Sequence, residues 1–147
     1  MQQDQLDILT NKGIDALEKG YIQSAQVLLG QVAEQRNTPR VRSYLAFCAA
    51  KSQGRVQEAM KICRESIRHD PKDPAQFLLL GRLYLMVNEK EKAMLAFREG
   101  IRIGSDPRIL AEMNKLGQRK PAVIPSLKRS HPINRLLGKL FARFGLR

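Results

Sequence analysis

Three segments of the sequence superimpose without a gap: DALEKGYIQSAQVLL (15–29), AAKSQGRVQEAMKIC (49–63) and LYLMVNEKEKAMLAF (83–97). Ala25, Ala59 and Ala93 recur at an interval of 34 residues, and Gly20, Gly54 and Asn88 keep the same interval. A period of this length means that one supersecondary unit is copied and stacked, because a single copy cannot bury its apolar face alone. Gly20, Gly54 and Asn88 fall where a helix must stop and the chain reverse, at a left-handed backbone position open to Gly and tolerable for Asn. Ala25, Ala59 and Ala93 are small where the second helix lies against the first, and Gly13 and Gly81 do the same from the opposite side. Pro39, Pro71, Pro74 and Pro107 cannot sit inside a helix, so they mark the boundaries between units. With 5% aromatic residues and no tryptophan, bulk must come from Leu, Ile, Val, Ala and Met, which favour helices or fill helical cores.

The third copy carries a specific motif, with Phe77, the Leu80-Gly81 pair, Tyr84, Ala93, Phe97 and Pro107 in order. It resembles the tetratricopeptide repeat. The second copy keeps Gly54, Ala59 and Pro71 and the first keeps Gly13, Gly20 and Ala25, so the resemblance covers about residues 6–107. It implies an all-α fold: an α-solenoid of three tandem helix-turn-helix hairpins over residues 6–39, 40–73 and 74–107. A capping helix over 108–117 completes a repeat domain of residues 1–118. Two departures carry expectations of their own. In copy two the small first-helix residue is Phe47 and the tyrosine position one turn later is Ala50, which reads as bulk moved by one turn; copy one has Ala16 at that position. Pro107 comes later than the pattern has it, so the second helix of copy three is expected to run long.

The resemblance also places a ligand surface on the concave wall made by the first helix of each pair. By that analogy copy one contributes Asp7, Thr10, Asn11, Ile14 and Leu17. Copy two contributes Val41, Tyr44, Leu45, Cys48 and Lys51, and copy three Ala75, Leu78, Leu79, Arg82 and Leu85. Relatives that hold acidic chaperone tails use a clamp of Lys, Arg and Asn on this wall. Here the wall is mostly apolar, which suits a peptide or amphipathic helix from another protein instead. Any one of these side chains has a competing place in the core between repeats.

The formal charge of +12 is unevenly spread. No Asp or Glu follows Glu112, and eight cations from Arg119 to Arg147 give the tail +8, leaving +4 for the rest. Residues 119–131, with prolines at 121, 125 and 132 within or beside them, read as a basic linker. Over 132–147, Ile133, Leu136, Leu137, Leu140, Phe141 and Phe144 recur as one stripe of an amphipathic helix, with Arg135, Lys139, Arg143 and Arg147 largely off it. Burying six such side chains contributes on the order of 10 kcal/mol before ordering costs. The destinations that suit the stripe are its own repeats or those of a second copy, an anionic membrane surface, and an acidic partner. Nucleic acid is the weakest of these, with no aromatic stacking platform.

Catalysis calls for a nucleophile or an acid–base pair held by a third group, and no such set is present. His69 lies at a helix end where a cation is favoured, and His131 lies beside a proline. Cys48 and Cys63 have neither CxxC spacing nor enough histidines for zinc, and read as two buried thiols. No cofactor and no metal is expected. The N-terminal MQQDQLDILT lacks an apolar stretch, and no run reaches the ~18 apolar residues of a span. The expectation is a cytoplasmic scaffold without enzymatic activity, with peripheral membrane attachment as the alternative.

Overall fold

The computed structural model of the protein describes residues 2–117, together with Lys139, Ala142 and Arg143. Residues 2–117 form seven helices: α1 Gln3–Glu18, α2 Ile22–Gln35, α3 Pro39–Gln53, α4 Val56–His69, α5 Pro74–Met86, α6 Lys90–Ile103 and α7 Pro107–Gly117. They pair as hairpins α1/α2, α3/α4 and α5/α6, and each hairpin packs on the next through α2 with α3 and α4 with α5. The first helices also touch in series, α1 to α3 and α3 to α5.

Each hairpin turns on a left-handed residue: Gly20 at φ 85°, Gly54 at φ 71° and Asn88 at φ 61°. The three equivalent positions of the repeat thus adopt one conformation, and copy three reaches it with Asn. A β-branched side chain is strained there. Asn88→Val is expected to lower stability by about 1–2 kcal/mol and Asn88→Gly to leave it within roughly half a kcal/mol, as read by urea denaturation.

The second and third hairpins begin on a cap followed by proline. Thr38 Oγ1 accepts from the Val41 amide at 3.2 Å and Asp73 Oδ1 from the Ala75 amide at 3.0 Å, with Pro39 and Pro74 in the first turn, where a missing N–H costs nothing. Asp106 repeats the device, its Oδ1 accepting from the Arg108 amide at 3.0 Å ahead of α7. Pro107 is therefore the start of the next helix. The expected lengthening of copy three does not occur: α6 has 14 residues, as do α2 and α4. Gly104, at an extended backbone position, ends the helix before Pro107 is reached.

Ala25, Ala59 and Ala93 are fully buried between paired helices. A Cβ on Gly13 would lie 2.7 Å from Leu29 Cγ, and one on Gly81 would overlap three atoms of the Phe97 ring, so in copies one and three a large second-helix residue fills the space left by glycine. Copy two inverts the pair. Its equivalents, 34 residues from each, are Phe47 and Cys63, a large residue on the first helix facing a small one on the second, both in the core. The volume that Phe47 adds is thus offset across the helix pair by Cys63 as well as along its own helix by Ala50.

A buried polar chain crosses from copy two to copy three. Ser43 Oγ donates to Gln76 Oε1 at 3.3 Å, and Gln76 Nε2 donates to the Asp70 carbonyl at 2.9 Å, the last orphan carbonyls of α4 being the groups that need such a donor. Cys48 and Cys63 are both free and buried, and burial pushes their thiols up to about 11 and about 12.

Helix α7 continues the register as the first helix of a fourth copy. Pro107 follows Pro39 by two periods, and Ile109 follows Ala75 by one. Ile109 is fully buried, its Cδ1 against the backbone of Gly100. The position held by Gly13, Phe47 and Gly81 in the copies before it is here the exposed Lys115. The hairpins and α7 as far as Met113 form one compact unit, Met1–Met113. The residues expected to dock a C-terminal helix, Ile133, Leu136, Leu137, Leu140, Phe141 and Phe144, lie outside the described residues. No described helix is long and apolar enough to cross a membrane.

Candidate partner-binding cleft

The first helices meet along a cleft of about 630 Å3 lined by Leu17, Glu18, Gly20 and Ile22, by Phe47 and Lys51 of α3, by Arg82, Leu85 and Met86 of α5, and by Glu112 of α7. It lies at the C-terminal ends of α1, α3 and α5, beside the first hairpin turn. Its apolar part is Leu17, Ile22, Phe47, Leu85 and Met86, and Met86 is 39% exposed. An unbranched thioether at such a mouth adapts its shape to what it meets.

The charged part is an ion-pair chain across three helices. Arg82 donates to both carboxylate oxygens of Glu18, at 2.7 and 3.0 Å, and through Nε to Glu112 at 2.9 Å. Arg108 donates to Glu18 at 3.0 Å and grips Asp106 with contacts of 2.7 and 3.0 Å. Glu18 of α1 is thus shared by guanidinium groups from α5 and α7, 64 and 90 residues away. Burial works against the Glu18 carboxylate, but the hydrogen bonds and charge of Arg82 and then Arg108 outweigh it and hold the carboxyl below its usual range. The same contest holds Asp106 low, with Arg108 as the partner that wins. Arg82 and Arg108 are raised in turn: burial opposes them, and their carboxylates prevail. The Tyr44 hydroxyl is buried near Arg108, without a hydrogen bond of normal geometry among the described residues, and burial pushes its phenol up.

Lys51 stands apart. It is the cleft-lining charge that none of the ion pairs among the described residues engages, and its Nζ lies 5.8 Å from the centre of the Phe47 ring.

Of the fifteen wall residues expected from the repeat, Leu17, Lys51, Arg82 and Leu85 line this cleft. Tyr44, Cys48 and Leu78 are fully buried, so they present no surface to a partner. The contact of α1 with α3 and of α3 with α5 covers the wall positions nearest the helix middles, and those side chains become core. Ile14 is half-buried against the same core. Thr10 is buried, donates to the Leu6 carbonyl at 2.7 Å, and edges a separate polar cleft with Asp7, Arg36 and Arg40. Leu45 opens onto neither, lying instead with Ala33, Ile62 and His69 between the second helices. Arg82, one of the two wall cations, is already neutralised by Glu18 and Glu112. Ile22, Phe47 and Met86 were not among the expected wall residues. Ile22 and Met86 flank the turn residues Gly20 and Asn88, and that proximity to the repeat's fixed points is the signal that could have found them.

No family model and no curated protein matches the sequence. Among solved structures, the fold is similar to the first TPR of Spaghetti (RPAP3) bound to the HSP90 peptide SRMEEVD, at 12% identity and TM-score 0.55, covering 80% of this chain and 94% of that one. PcrH from Pseudomonas aeruginosa is similar at 18% identity and TM-score 0.55, over 80% of this chain and 89% of its own, and is also known in complex with the chaperone binding region of PopB. The Sgt2 TPR domain from Aspergillus fumigatus is similar at 20% identity and TM-score 0.53, over 89% of this chain and 93% of its own. What the three share with this chain is the fold, an α-solenoid of stacked helical hairpins.

Proposed function

We propose that this chain is a non-catalytic protein-interaction scaffold that takes a peptide or an amphipathic helix of another protein into the cleft between its first helices. The observation that carries this reading is the division of the cleft lining: an apolar wall of Leu17, Ile22, Phe47, Leu85 and Met86 lies beside Glu18, Arg82 and Glu112, which satisfy one another. Such a wall gains free energy when covered, and the paired charges need no ligand to neutralise them. The architecture it shares with a TPR that holds an HSP90 peptide and with PcrH, which holds a region of PopB, supports a peptide as the occupant. Among the described residues no group of His, Cys, Asp or Glu is placed to hold a metal ion. The lipid and nucleic-acid alternatives rest on residues 119–147.

The test is selection from a displayed library of twelve-residue peptides, followed by affinity measurement on those enriched. Selected peptides are expected to carry apolar anchors at helical spacing. Leu85→Glu, at the partly exposed cleft wall, is expected to weaken them at least tenfold while leaving the helical circular dichroism signal unchanged. Equal binding by Leu85→Glu would count against the cleft as the site.

A further inference from the structure

The repeat-built wall explains why a peptide fits, and one of its charges says which peptide. The charged residues that line the cleft are Glu18, Arg82, Glu112 and Lys51. Arg82 is held by both Glu18 and Glu112, and Glu18 takes a further hydrogen bond from Arg108, so three of the four are committed to one another. Lys51 is not a member of that chain. Its ammonium is placed over the Phe47 ring, 5.8 Å from the centroid, so the charge stands against the apolar wall and beside the space a ligand side chain would enter. It sits in the last turn of α3, where it complements the partial negative charge of the helix end. That contact leaves its hydrogen-bond donors free to meet an acceptor, since the helix end and the aromatic face together give a lysine no carboxylate.

We infer that the occupant of the cleft is an acidic segment of another protein, one that sets apolar side chains against Leu17, Ile22, Phe47, Leu85 and Met86 and places an Asp or Glu carboxylate on Lys51. The inference rests on the reading of the cleft given above and adds the charge of its partner. A cation at the edge of an apolar wall selects among partners of similar shape, because a basic segment meets repulsion where an acidic one meets attraction. Lys51 is then a specificity-determining residue, while the apolar wall supplies most of the affinity.

The same twelve-residue library separates the two claims when it is panned on the wild type, on Lys51→Glu and on Leu85→Glu. Wild type is expected to enrich Asp and Glu beside the apolar anchors, and Lys51→Glu to enrich Lys and Arg at those places. A wild-type-selected peptide is expected to bind Lys51→Glu about tenfold more weakly, and its Glu→Lys counterpart to regain that loss on the variant. If Leu85→Glu abolishes enrichment while Lys51→Glu selects peptides of the same charge as wild type, the cleft stands as the site and the acidic partner is overturned. If wild type enriches nothing, or Leu85→Glu enriches the same peptides, the cleft reading fails and the acidic partner fails with it.

Discussion

Gly81→Phe is expected to destabilise the protein by at least about 3 kcal/mol, because even the first carbon of a side chain there overlaps the buried Phe97 ring. Phe97→Cys, which empties the same space, is expected to cost about 3 kcal/mol by leaving a cavity. The double variant is expected to recover to within about 1.5 kcal/mol of wild type, since it writes into copy three the pair that copy two uses, Phe47 on the first helix facing Cys63 on the second. Urea denaturation of the four proteins gives the coupling directly. Additive losses in the double variant would mean that the two copies do not share a packing register.

The second large effect is Arg82→Met. Arg82 has only 17% of its side chain exposed and is the link between Glu18 and Glu112, so the change leaves two half-buried carboxylates facing an apolar group. A loss of about 2 kcal/mol is expected at neutral pH, a partly exposed network contributing less than a fully buried pair. That is roughly 6–10 °C in Tm for a domain of this size. The pH dependence follows from the carboxyls. Glu18 and Asp106 lie below their ordinary values in the fold, so their contribution is present above about pH 4 and disappears as pH falls through the folded values. Wild type is expected to lose stability as pH falls below the ordinary carboxyl range of about 4, and Arg82→Met to show a shallower fall, read as Tm against pH. Parallel curves would mean that Arg82 does not hold Glu18 low.

The parts of this structure that were legible in the sequence are those fixed by local physics and repeated. The turn residues needed a positive φ, and only Gly or Asn at a 34-residue interval meets that need. The small residues of the hairpins were legible for the same reason, since Ala25, Ala59 and Ala93 each mark a close approach decided within one copy. The inverted pair in copy two was half legible. Phe47 stood out against Gly13 and Gly81, but its compensation at Cys63 appears only when both helices of the hairpin are aligned. Pro107 misled because distance from the family pattern was read as helix length, whereas the cap at Asp106 shows it to be a start. Thr38, Asp73 and Asp106, each directly before a proline, were the local signal for that.

The cleft was less legible, for two physical reasons. The wall positions of a solenoid are shared between the ligand surface and the contacts of neighbouring first helices, and sequence does not say how closely those helices pack. Tyr44, Cys48 and Leu78 went to the core. The second reason is range. Glu18, Arg82, Arg108 and Glu112 each look like ordinary surface charges along their own helices, and become a network only when three stacked hairpins bring α1, α5 and α7 together. No periodicity encodes that meeting, because Glu18 is Ser52 and Met86 in the other copies.

The most direct test of the account is a map of where a bound peptide lies. Isotope-labelled protein titrated with a wild-type-selected peptide should show its largest amide shifts at Leu17, Ile22, Lys51, Leu85 and Met86. Shifts concentrated instead on the exposed second-helix residues Val27, Leu95 and Ile101 would contradict a partner site between the first helices.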